Sequence, residues 1–167
     1  MDLDLAQLVL RIVVGGVFVA HGWNHGFGPG GLDGTTRWFE SIGLRPARLH
    51  AAISAYLEIG AGVAILAGLL VPVAAAAGIG VMVTAYATVH RANGFFIFRD
   101  GYEYVLVLTT ALTTLAMLGA GSWSLDAVLD IDLSGWAVGI GALGAGILGS
   151  VGMLTFCWRP PLDDEDA

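Results

Sequence analysis

Side chains able to do chemistry are few in this chain, and a dense group of them that lies between apolar runs is residues 89–104. It holds His90, Arg91, Asn93, Arg99, Asp100, Tyr102 and Glu103, with five aromatic side chains, between two long apolar runs. Asn93-Gly94 and Asp100-Gly101 are turn signals, because both pairs tolerate positive φ. The stretch therefore reads as a short hairpin joining two membrane helices, with His90 closing one and Tyr102 and Glu103 opening the next. Ionisable groups in such a place are functional candidates, since burying them costs free energy that a plain loop avoids.

Among the ionisable groups inside apolar segments, Arg11, His21 and Glu58 stand out. At 1.5 Å per residue, Arg11 lies roughly 9 Å along the first helix and Glu58 roughly 15 Å along the second, close to mid-membrane. An unpaired charge there costs about 2.5–3.5 kcal/mol on insertion scales, so Glu58 needs a partner or a proton. Three arrangements are open. Arg11 and Glu58 form a structural ion pair; or Glu58 joins His21, His90 and Glu103 in a polar pocket; or Glu58 stays protonated and hydrogen-bonded. The first two can coexist.

The elements that must position these groups follow from composition. The chain of 167 residues is 56% hydrophobic and only 13% charged, with mean hydropathy +0.78. A soluble globule is usually about 25% charged, so this is an integral membrane protein lying in a lipid bilayer. Its one cysteine, Cys157, excludes an internal disulfide framework. The net charge of −7, with no basic patch, argues against a nucleic-acid partner. The N-terminus is acidic where a secretory leader would be basic, so the first helix is expected to remain as an anchor.

Five segments approach the ~20 residues that cross a bilayer: 5–22, 49–70, 73–90, 102–118 and 135–158. Pro72 separates the second from the third, as it suits the start of a new helix. Small-residue pairs such as Gly135/Gly139, Ala142/Gly146 and Ala64/Gly68 permit close helix contact. Gly60-Ala61-Gly62 lies inside an apolar helix without the rest of a dinucleotide fingerprint, and reads as packing. In the connection 23–48, Trp38, Phe39 and Ile42 share one helical face, which suits a short helix in the membrane interface. The connection 121–134, with Trp123, Leu125, Val128 and Leu129, can do the same on the other side.

With five crossings, Arg37, Arg45, Arg48, Arg91, Arg99 and Arg159 fall on one side, and the loops of the other side carry no Lys or Arg. The positive-inside rule then puts the hairpin 91–101 and the C-terminus in the cytoplasm and the N-terminus outside, in the cell membrane. His21 and His90, level on two helices, raise the question of haem. No His pair at i, i+4 falls within one of the five segments and no His-x-x-Cys occurs, so haem and metal are disfavoured.

Three places in this pattern together resemble the DoxX family of small bacterial and archaeal membrane proteins. Leu10-Arg11-Ile12-Val13-Val14-Gly15 with Phe18-Val19-Ala20-His21-Gly22 resembles the family's first helix. Trp38-Phe39-Glu40-Ser41-Ile42-Gly43-Leu44, followed by Glu58-Ile59-Gly60-Ala61-Gly62, resembles its interfacial segment and second helix. His90-Arg91-Ala92-Asn93-Gly94-Phe95-Phe96 with Gly101-Tyr102-Glu103-Tyr104 resembles its most characteristic motif, and Trp123-Ser124-Leu125-Asp126 also fits. The chain departs from the family at His25, where Lys is frequent, and at Asp100, where Gly is frequent.

The resemblance implies an all-α transmembrane fold: a four-helix membrane bundle over 1–133, a fifth transmembrane helix added at 134–158, and an acidic disordered tail at 159–167. It also implies a redox-associated subunit, since the family is named from a subunit tied to quinol oxidation and to thiosulfate:quinone oxidoreductase. Some relatives are linked to membrane complexes handling thiol and oxidative stress. A pocket of His, Glu, Tyr and aromatics suits a quinone head, which needs polar partners for its carbonyls and apolar walls for its tail. The expected binding residues are His21, Glu58, His90, Asn93, Tyr102 and Glu103, with a redox protein or a second copy as partner. The alternative is a non-catalytic anchor or assembly subunit, or a small-molecule transporter.

Overall fold

The computed structural model describes residues 2–160, which are helical almost throughout. The tail expected from 159 onward therefore lies, from 161 on, outside the described residues. Helix α1 is Asp2–Phe27, α2 Gly31–Ser41, α3 Ala47–Ala67 and α4 Val71–Ala85, which runs on through a π-helical turn, Tyr86–His90, and a 3₁₀ turn, Arg91–Asn93. After the hairpin come α5 Glu103–Leu118, the single turn α6 Leu125–Val128, and α7 Trp136–Cys157. Helices α1, α3, the extended α4 and α7 are long and apolar enough to cross a membrane; α5, at 16 residues, is a shorter apolar helix.

Helix α1 continues five residues beyond its expected end. Gly22 is a packing position and not a stop, since a Cβ there would sit 2.6 Å from the Ala55 carbonyl oxygen. The helix ends instead at Gly28-Pro29-Gly30, where Gly30 turns left-handed with φ 89°. The longer helix places His21 and His25 at i, i+4 on one element, which corrects the expected absence of such a pair.

Small residues set the helix spacing. A Cβ on Gly15 would approach the Gly62 oxygen to 2.8 Å, and one on Gly62 would approach the Gly15 oxygen to 2.7 Å, so α1 and α3 pack backbone to backbone. Helix α7 turns Gly139, Ala142, Gly146 and Ser150 inward and lies mainly along α4 and, less, along α5. Phe18, Ile65, Ile79, Leu112 and Leu115 fill the space between the helices.

Two connections tie the ends. At one end Leu44 and Trp158 form an isolated antiparallel bridge. The Arg45 N–H donates to the Cys157 oxygen at 2.8 Å, and the Trp158 indole donates to the Ile42 oxygen at 2.9 Å. Gly43 allows this approach: its φ is +85°, and a Cβ would sit 1.9 Å from the Arg159 oxygen. At the other end the connection 121–134 holds only the one-turn α6, shorter than an interfacial helix needs. Its Asp126 points inward and is 3% exposed.

Candidate ligand-binding site

The polar residues of the bundle divide between its two ends. At the end where α1 begins, Arg11 is 2% exposed. It donates from Nε to the Ile65 oxygen (3.0 Å), from Nη2 to Leu66 (2.8 Å), and from Nη1 to Ala120 (2.7 Å) and Trp123 (2.8 Å). Ile65 and Leu66 belong to the last turn of α3, and Ala120 and Trp123 to the connection that follows α5, so Arg11 ties these two segments together. The Arg11–Glu58 ion pair is thus not made. Ile65 is seven residues past Glu58, about 10 Å further along α3, and Arg11 is used up at that level. Gln7 donates to the Leu118 oxygen at 2.8 Å, and the Ser122 N–H donates to Asp4 Oδ1 at 2.9 Å. Asp126 Oδ1 accepts from the Leu70 N–H at 2.8 Å and so caps the start of α4.

The other end encloses a cavity of about 790 Å³, lined from α1, α2, α3, α4, α5 and α7. Its walls are largely apolar, with Phe18, Leu57, Leu108 and Met153 among them. That size and lining are ordinary for a site taking a small organic molecule, typically ~300–1,000 Å³. Of the expected site residues, His21, Glu58, His90 and Asn93 reach the wall, whereas Tyr102 and Glu103 do not line it. Tyr102 packs edge-on against Tyr86 and Phe95, and Glu103 Oε2 accepts from the Ile97 N–H at 3.1 Å, so both hold the hairpin together.

Glu58 is 2% exposed. The Ser54 hydroxyl, one turn earlier on α3, donates to its Oε1. His25 Nε2 stands 3.7 Å from the same oxygen, with the His25 ring stacked on Trp38 at 5.8 Å between centroids. So His25, and neither His21 nor His90, faces Glu58. His21 stacks instead against Tyr104, centroids 6.3 Å apart. His90 donates from Nδ1 at 2.6 Å to the Asp100 carbonyl oxygen, to which Asn93 also donates at 3.3 Å. These bonds close the hairpin over the end of α4, beside the π-helical turn that widens the helix there.

His50 was not among the expected site residues. It is 8% exposed, lines the cavity, and its Nε2 has no hydrogen-bond partner. A buried polar group left so costs about 1–3 kcal/mol. His50, Ser54 and Glu58 stand at i, i+4 and i+8 and share one face of α3. That spacing was the available sequence signal for His50 and Ser54; the short first helix hid His25. Among the described residues no three His, Cys, Asp or Glu side chains come together to hold a metal ion.

The DoxX family model matches residues 6–91, from α1 through the π turn of α4. No curated protein and no solved structure matches the chain. The matched region carries Arg11, His25, His50, Ser54 and Glu58, and it takes in slightly more than half of the sequence: this chain belongs to the DoxX family, as a membrane protein of apolar helices.

Proposed function

We propose that this protein is a membrane-embedded, redox-associated subunit that holds a quinone or quinol in the cavity of its bundle. The observation that carries the reading is the cavity itself: apolar walls contributed by six helices, with Glu58, His25 and His50 on one side of it. An isoprenoid or alkyl tail is soluble among such walls, and a ring with oxygens finds hydrogen-bonding groups there. Its electron-transfer partner, a thiol or sulfur oxidoreductase, is proposed from the family resemblance. Helix α7 is read as an addition to the core 1–133, and through Gly146, Ser150 and Met153 it completes the wall.

Purification with native lipids tests this reading. A quinone co-eluting near one per chain supports it; no quinone, with a stoichiometric protein partner, supports an assembly subunit instead. One observation favours that second reading. The hairpin exposes Phe96 and Phe98, stacked at 5.2 Å, next to Arg99, a surface fit for a partner or for the lipid interface.

We infer a cell-membrane location with the hairpin cytoplasmic from Arg37, Arg45, Arg48, Arg91, Arg99 and Arg159, which flank that end. In a Cys157→Ser background, a cysteine at Asp130 should label from outside intact cells and one at Asp100 should not. Labelling of Asp100 from outside reverses the orientation.

A further inference from the structure

The polar groups around the cavity differ in what they have left to offer. Those of the hairpin have partners there: His90 Nδ1 and the Asn93 amide both donate to the Asp100 oxygen. On α3 the position is reversed. His50 Nε2 is buried without a partner, and Glu58 has one oxygen engaged by Ser54 while the other has no hydrogen bond. We propose that the ligand's head lies along α3 between His50 and Glu58, and that it is a neutral ring bearing oxygen at two separate positions.

The inference rests on the quinone reading above and names the groups that would recognise it. His50 and Glu58 are eight residues apart, about 12 Å along the helix. The two residues thus present polar atoms at two separate levels of one face, as a ring with oxygens at opposite edges requires. The head is neutral because no Arg or Lys lines the cavity to hold an anion. His25, 3.7 Å from Glu58, already stands where a cation would sit. Ser54, between the two ends, fixes the Glu58 carboxyl toward the ring. The site therefore counts oxygens: a ring with one satisfies Glu58 or His50, and a ring with two satisfies both.

The test uses the full chain in lipid nanodiscs and two probes, 2-decylhydroquinone and 2-decylphenol, which differ by one hydroxyl. The hydroquinone should bind about tenfold more tightly, the factor expected of one additional hydrogen bond. His50→Phe should abolish that preference while leaving phenol affinity as it was, which also shows that the cavity has survived. His50→Gln, which keeps a nitrogen near Nε2, should restore most of the preference, and Phe98→Ala, on the exposed hairpin away from the cavity, should leave it unchanged. A preference that persists in His50→Phe, or vanishes in Phe98→Ala, overturns the inference while the quinone reading stands. Failure of the unaltered protein to bind either probe overturns both.

Discussion

The two ends of this bundle use buried polar residues in opposite ways. Around Arg11 donors and acceptors are matched: four bonds run from the guanidinium to carbonyls, and Asp126 takes the Leu70 N–H. Around Glu58 they are not. One hydroxyl engages the carboxyl, an imidazole stands at 3.7 Å, and His50 Nε2 meets nothing. A fully satisfied buried network stabilises and fixes one structure, whereas a partly satisfied one carries a standing cost. The first end closes the bundle through matched bonds, and the second leaves polar groups beside the cavity without a full set of partners. Both contain an ionisable residue buried to the same degree, 2% exposed for Arg11 and for Glu58, so burial alone does not separate structure from function here. The count of partners does.

The largest effect expected from breaking this contrast is at Arg11. Arg11→Leu takes the guanidinium from carbonyls of two segments, the end of α3 and the connection after α5, at about 1–3 kcal/mol for each one left unpaired, and should lower the melting temperature in detergent more than any other change considered. Adding Glu58→Leu should give no recovery, because the two side chains do not meet; recovery in the double variant would restore the ion pair. Asp126→Ala comes next. It removes the acceptor for the first N–H groups of α4, a loss of about 1–2 kcal/mol, seen as a smaller drop in the same melt. The smallest effect is at His90, whose bond to the Asp100 oxygen lies in an exposed hairpin. His90→Ala should cost about 0.5–1.5 kcal/mol, and a loss as large as that of Arg11→Leu would put the hairpin among the elements that hold the fold.

Much of this architecture is legible in the chain. The apolar runs, the Pro72 break and the two turn signals at Asn93-Gly94 and Asp100-Gly101 place the helices and the hairpin, because each is a local rule. The amphipathic face of Trp38 and Phe39 likewise announces α2. What local rules do not reach is the choice of partner. Arg11 and Glu58 read as a pair on charge alone, yet the end of α3 and the connection after α5 lie at the level of Arg11 and offer it carbonyls. Any residue supplies a carbonyl, so no side-chain pattern announces them. His25 was hidden by taking Gly22 as a stop when it is a close contact with α3. His50 and Ser54 were visible as a one-face ladder with Glu58, but only the enclosed cavity gives that ladder a purpose. Tyr102 and Glu103, expected as binding groups, serve the hairpin's own geometry instead.

We propose that the cavity at the hairpin end holds a quinone, whereas the Arg11 end only closes the bundle. Gly149 gives the most direct access to it: it lines the cavity, and a Cβ there would meet no atom within 4 Å. Gly149→Phe should therefore fill the space without disturbing the helices. Quinone per chain, measured after purification with native lipids, should be close to one for the unaltered protein and near zero for Gly149→Phe, with both melting at the same temperature. Equal quinone in the two proteins, or none in either, contradicts the account.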